Sequence, residues 1–147
     1  MIQDSAKIPK AIAEELNQRF PRWALYKRTG VAYYSKMPPV FYEVWQRGET
    51  LSQVAEFEIH QLPGCAGACV STHSKVMPEW QKQGIGSLLN QLRIELAREL
   101  GYGMMLCTFV DTNVPERCIL NTNRWSHLLK FLNPRTKHTV VLSEIHL

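Results

Sequence analysis

Gly84 and Gly86 stand one residue apart at the head of a segment in which Ile85, Leu88, Leu89, Leu92 and Leu96 recur at i, i+3, i+4, i+7 and i+11. That spacing is the stripe one face of an α-helix buries. Both glycines fall in its first turn, where the backbone N–H groups have no partner inside the helix and the helix dipole adds partial positive charge. Glycine costs about 1 kcal/mol against alanine in a helix, so two of them there need a reason. The reason with chemical content is access: a bare backbone lets an anion lie directly on the amides. Gln81, Lys82, Gln83, Gly84, Ile85, Gly86 and Ser87 therefore read as a phosphate-binding turn. It is entered from a strand-like run at residues 70–76 through Met77-Pro78-Glu79.

Spacing separates three glycine-rich phosphate sites. A P-loop needs Lys-Ser/Thr after its last glycine, but Ser87-Leu88 follows Gly86. A dinucleotide fingerprint needs a small residue three positions after the second glycine, and Leu89 stands there. What remains is Gln81-x-x-Gly84-x-Gly86, preceded by Val76-x-Pro78-Glu79 and followed by the leucine stripe. This resembles the pyrophosphate loop of the GNAT superfamily of acyl-CoA-dependent N-acyltransferases, Arg/Gln-x-x-Gly-x-Gly/Ala. Asn113 and the run Cys118-Ile-Leu-Asn-Thr-Asn-Arg-Trp125 resemble the GNAT stretch Asn-x-x-Ala … Ile-Leu-Glu-Lys-Asn-Gly-Phe. The resemblance covers residues 65–132; the first 64 residues match by strand content only. Residues 125–132, with Asn-Pro-Arg-Thr-Lys after them, also resemble compact GNAT proteins encoded by bacteriophages.

The resemblance implies one GNAT-like domain over residues 1–147, of α/β (α+β) class. Its sheet would be mixed and mostly antiparallel, with a central splayed parallel strand pair and flanking helices. It implies an N-acetyltransferase that uses acetyl-CoA as cosubstrate, needs no metal and acts on a primary amine. The amides of residues 81–87 would hold the pyrophosphate, and backbone at Lys75 and Val76 would pair with the pantetheine like an added strand. Asn113 would touch the cofactor's arm while also capping a helix. Two departures bear on catalysis. The tyrosine that often serves as general acid aligns with Leu120, and a glutamate that some members carry before the loop aligns with Val70. His73, three residues before Val76 and of a type that titrates at ~6.5, is then the leading base. Asp111, Cys107, Glu58 and a water relay stand behind it. Those departures motivate a second reading, a non-enzymatic acyl-CoA-binding module. A third, a nucleic-acid-associated protein, rests only on the sequence pI of about 9.0.

These residues must be positioned by a fold, and the chain supplies one domain's worth of it. At 147 residues, 45% hydrophobic, there is material for a single core. With no 18-residue apolar run and no charged-then-apolar start, a soluble cytoplasmic protein is expected. The net charge of +4 is spread: residues 1–60 carry eight basic and seven acidic groups, the rest nine and six. This favours a polyanionic cofactor over a nucleic-acid surface, and a homodimer is compatible with it.

Cys65 and Cys69, placed on one strand, would sit ~13 Å apart at ~3.3 Å per residue, too far for a bond or a shared metal. Buried free thiols are expected. Residues 8–20, with Ile8, Ile12, Leu16 and Phe20 and a proline at each end, predict a leading amphipathic helix. Residues 23–27, 31–34, 40–45 and 52–59 predict an antiparallel meander, with Val54 out of phase with Phe57 and Ile59. A strand over 65–76, the long helix ending at Gly101, and a buried strand over 104–110 form a parallel crossover. Asn113 opens a short helix with Glu116 completing a capping box. A hairpin over 125–132 and 139–145 closes the chain.

Overall fold

The computed structural model describes residues 3–4, 14, 18, 23–30 and 39–147. The strands are β1 (Gln3–Asp4), β2 (Trp23–Thr29), β3 (Val40–Gln46), β4 (Ser52–Gln61), β5 (Ala68–Val76), β6 (Met104–Val110), β7 (Ser126–Leu132) and β8 (Thr139–His146). The helices are α1 (Ile85–Glu99) and α2 (Val114–Thr122). The strands form one sheet in the order β1-β2-β3-β4-β5-β6-β8-β7. Each described pairing is antiparallel except β5 with β6, which is the mixed sheet with a central parallel pair expected from the sequence. The expected helix over 8–20, apart from Glu14 and Gln18, and the expected strand over 31–34 lie outside the described residues. β2 and β3 pair directly, Thr29 opposite Val40. Glu14 and Gln18 are helical, and β1 precedes that segment and pairs with Tyr26 and Lys27.

Two bulges shape the centre of the sheet. On β4, Ala55 faces Val44 and Gln53 faces Trp45, so Val54 is an extra residue in the ladder. The bulge re-phases the strand, which is why Val54 and Ala55 are both fully buried while Phe57 and Ile59 keep the same inner face. On β5, Thr72 faces Glu58 and Lys75 faces Glu56, leaving His73 and Ser74 opposite Phe57 alone. His73 takes up the extra length in the left-handed region, φ 52°.

The five predicted stripe residues of α1 are all buried against the sheet, each contributing about 1.5–3 kcal/mol of burial before conformational entropy is counted. Asn90, Arg93 and Ala97 are buried as well, on a second stripe that begins at Gly86. That stripe meets α2 and its exit: a Cβ on Gly86 would lie 3.0 Å from Ile119 Cδ1. Farther along, Trp125 Nε1 donates to Asn90 Oδ1 at 3.3 Å. The helix ends as predicted, with Gly101 at φ 87° and the Tyr102 amide returning to the Ala97 carbonyl at 3.2 Å.

The strand placed over 65–76 begins only at Ala68. Cys65 lies in the preceding turn and is exposed, so of the two thiols expected to be buried only Cys69 is.

Candidate active site

β5 and β6 pair over three residues only: Ala68 with Met104, Cys69 with Met105 and Val70 with Leu106. Beyond that point β6 follows β8, with which it pairs along its whole length, while β5 bulges toward β4. The strands part and leave a cavity of about 250 Å³ between them. It is lined by Ser71, Thr72, His73 and Ser74 on one side and Cys107, Thr108 and Phe109 on the other. Arg93 from α1 and Asn113 and Glu116 from α2 complete it. This is the splay that the resemblance implied.

The glycine turn lies between the open end of β5 and α1. The Gln81 side chain ties it to the strand by donating to the Val76 carbonyl at 3.1 Å, and Gln83 donates to the Glu79 carbonyl at 3.4 Å. Val76's carbonyl is therefore already engaged, and its ladder partner is Ala55. Lys82 and Gly84 both adopt positive φ, 62° and 77°. No side chain caps α1 at Gly84, and no acidic residue sits in its first turn. The early amides remain orphan donors at the positive end of a fifteen-residue helix. The two glycines have different causes. Gly84 supplies a left-handed N-cap. Gly86's missing side chain faces Ile119, where a Cβ would lie 3.0 Å from Cδ1, while its amide belongs to the first turn of α1.

His73 is the residue shared by two cavities. Besides the cleft, it lines a second cavity of about 250 Å³ on the β3–β4 side with Phe41, Glu43, Glu56 and Glu58. Its side chain is 78% exposed. Nδ1 lies 2.9 Å from Glu58 Oε2, so the ring nitrogen facing the carboxylate carries hydrogen and Nε2 is left to accept a proton. Glu43 and Glu56 are direct cross-strand neighbours. Glu43 accepts from Trp45 Nε1 at 3.0 Å and Glu56 from Gln53 Nε2 at 2.9 Å. Lys75 on β5 is Glu56's neighbour on the other side of the ladder. Like charges set opposite each other disfavour the sheet unless a positive group offsets them.

The remaining candidates do other work. Burial pushes the Cys107 thiol up to about 12, as it does that of Cys69, so neither is a thiolate near neutrality. A hydrogen bond from Lys130 holds Asp111's carboxyl below the usual range, with Arg117 adding to it, and this knot ties the end of β6 to β7 and α2. Asn113 caps α2, its Oδ1 accepting from the Glu116 amide at 3.2 Å, and lines the cleft as well. The capping box is only half formed, because the Glu116 carboxylate turns to Arg93, 3.6 Å away. Leu120 is fully buried. Arg93 itself escaped the sequence reading: it is 3% exposed, its Nη1 donates to Ser71 Oγ at 3.3 Å, and its Nε–H meets no acceptor. The signal was its place seven residues after Gly86 on the same helical face.

A larger hollow of about 460 Å³, lined by Glu95, Arg98, Glu144 and His146 among others, lies away from the parting strands. Among the described residues no group of three or more metal-ligating side chains is assembled, and no helix is long and apolar enough to cross a membrane.

No protein-family model matches the chain, and no curated protein matches it in sequence. Solved structures do match in shape. An IAA acetyltransferase from Bacillus cereus ATCC 14579 aligns over 100% of this chain and 99% of its own, with 12% identity and a TM-score of 0.66. A GNAT-family acetyltransferase from Bacillus anthracis aligns over 72% of this chain, which spans 65% of it, with 15% identity and a TM-score of 0.61. A spermidine N-acetyltransferase from Vibrio cholerae, in complex with CoA and spermine, aligns over 74% of this chain and 65% of its own, with 12% identity and a TM-score of 0.62.

Proposed function

We propose that this chain, which has the fold of the GNAT acetyltransferases, transfers an acetyl group from acetyl-CoA to a primary amine on a cationic acceptor. The observation that carries the reading is His73, which lines both the cleft and the acidic cavity beside it. The cofactor's pyrophosphate sits on the amides of residues 81–87, and its arm runs along β5 past Lys75 toward the apex of the splay. The acceptor enters from the side of Glu43, Glu56 and Glu58, whose charges draw a polyamine or a lysine-rich segment. The Vibrio cholerae neighbour's complex with CoA and spermine supports that acceptor class.

In the reaction the amine nitrogen attacks the thioester carbon and the C–S bond breaks. His73, oriented through Nδ1 by Glu58, takes on Nε2 the proton the nitrogen sheds. The alternative is a binding module for acyl-CoA with no turnover. Free-thiol release from acetyl-CoA, measured across neutral amines, mono-amines, polyamines and lysine peptides, separates the two. Release that rises with the acceptor's positive charge is the expected result. Tight cofactor binding with no release across the panel overturns the enzyme and leaves the module.

A further inference from the structure

The floor of the cleft, where β5 and β6 begin to part, holds a cation whose hydrogen bonding is incomplete. Arg93 comes up from α1 between Ser71 and Cys107, the first residues beyond the last paired rung. A guanidinium has five N–H donors, and burying it is costly unless acceptors meet them. Here Ser71 Oγ takes one at 3.3 Å, Glu116 Oε1 stands 3.6 Å from Nη2, beyond hydrogen-bond length, and Nε–H has no acceptor. Helix–helix tethering alone would not need a charge this deep, since a buried ion pair commonly gains nothing over an apolar pair. Arg93's charge also faces a sulfur in the cleft: burial pushes the Cys107 thiol up, Arg93 acts against that push, and Glu116 acts with it.

We propose that Arg93 is an anion-stabilising catalytic residue whose ligand is the thiolate released from the cofactor. The inference rests on the reading of the cleft as the seat of the thioester arm. A thioester is neutral before the reaction. When the C–S bond breaks, the bonding pair leaves on sulfur and a full negative charge appears at the deep end of the arm. A fixed cation there favours the charged leaving group over the neutral ground state, which is the condition for rate enhancement. With Leu120 where a hydroxyl acid is absent, sulfur departs as the anion and takes its proton from water after release. The ammonium proton leaves separately through His73.

The test needs no acceptor. The thiol of bound coenzyme A is titrated by its ultraviolet thiolate absorbance, with protein saturated by desulfo-coenzyme A as the blank, so that the exposed Cys65 and Cys118 cancel. In the wild type the bound thiol should titrate about one unit or more below the ordinary ~8.5 of a free thiol. The groups that share its surroundings are Glu116 on α2, Cys107 on β6 and His73 on β5. Arg93→Met should return the titration to the ordinary value while desulfo-coenzyme A still binds, and Arg93→Lys should keep part of the shift. If Arg93→Met leaves Glu116 unpaired and fails to fold, the pair Arg93→Met with Glu116→Gln removes both charges and should show the same return. A bound thiol with ordinary acidity in the wild type, or one unmoved in the folded variants, overturns the assignment. A wild type that binds neither coenzyme A nor its desulfo analogue overturns the cofactor reading, and the role of Arg93 with it.

Discussion

A ring as exposed as that of His73 serves as a base only if something orients it, and Glu58 does so at 2.9 Å from the neighbouring strand. The bulge is the other half of the arrangement, since His73's left-handed backbone turns the side chain out where the strands have parted. His73→Ala should lower kcat/KM by about 10²–10⁴, the ordinary worth of a positioned base, and leave coenzyme A affinity within a few-fold. Because the site is open, imidazole added to the solution should restore part of the activity of the variant, as it could not for a buried structural histidine. Glu58→Gln, which keeps a hydrogen-bond acceptor but loses the charge, should fall between the two. An alanine variant with full activity, or one that no longer binds coenzyme A, removes His73 from the mechanism. Contrast His127, whose Nδ1 and Nε2 are both engaged, by Ser143 at 2.7 Å and Asn121 at 2.8 Å: a histidine of the same ring chemistry with no nitrogen to spare.

At the scale of elements, α1 has two buried faces and only one of them was legible. Five leucines and isoleucines at helical spacing declare the first, and from them the helix, its end at Gly101 and the crossover into β6 followed. The second face reads Gly86, Asn90, Arg93, Ala97, which by composition is what a solvent face looks like; only α2, packed there, makes it an interior. The bulges were hidden for a related reason. A one-residue slip shows in sequence as broken alternation, visible at Val54, but nothing in the letters of β5 distinguishes His73 from a regular strand residue. The two glycines convert this into a measurement. Gly84→Ala should cost about 1–2 kcal/mol through the left-handed N-cap. Gly86→Leu should cost about 1–3 kcal/mol through crowding against Ile119, seen as a lowered thermal midpoint, with coenzyme A affinity in the folded fraction held within a few-fold. A Gly86→Leu protein that melts like wild type and loses coenzyme A would instead give that missing side chain the phosphate-facing role.

For the whole molecule, the sheet order matters as much as the site. The strands β1 to β5 pair each with the next in the chain, but β6 finds β5 only across α1 and finds its other neighbour, β8, after α2 and β7 have been made. Among the described residues β7 in turn pairs with β8 alone and carries Leu128, Leu129, Phe131 and Leu132 exposed. A ribosome delivers these parts in the opposite order to the one the sheet wants. Until residues 139–146 have left the exit tunnel, β6 presents an unpaired apolar edge of seven residues, the kind of template on which a second nascent chain can pair. Chains arrested after Asn133 should therefore be protease-sensitive beyond β5 and prone to associate, and chains extended through His146 should be protected. Equal protection of the two lengths would show that β6 is secured without β8. The strand that draws β6 away from β5 is thus made after β6, α2 and β7, so the cleft has no settled second wall until β8 has emerged.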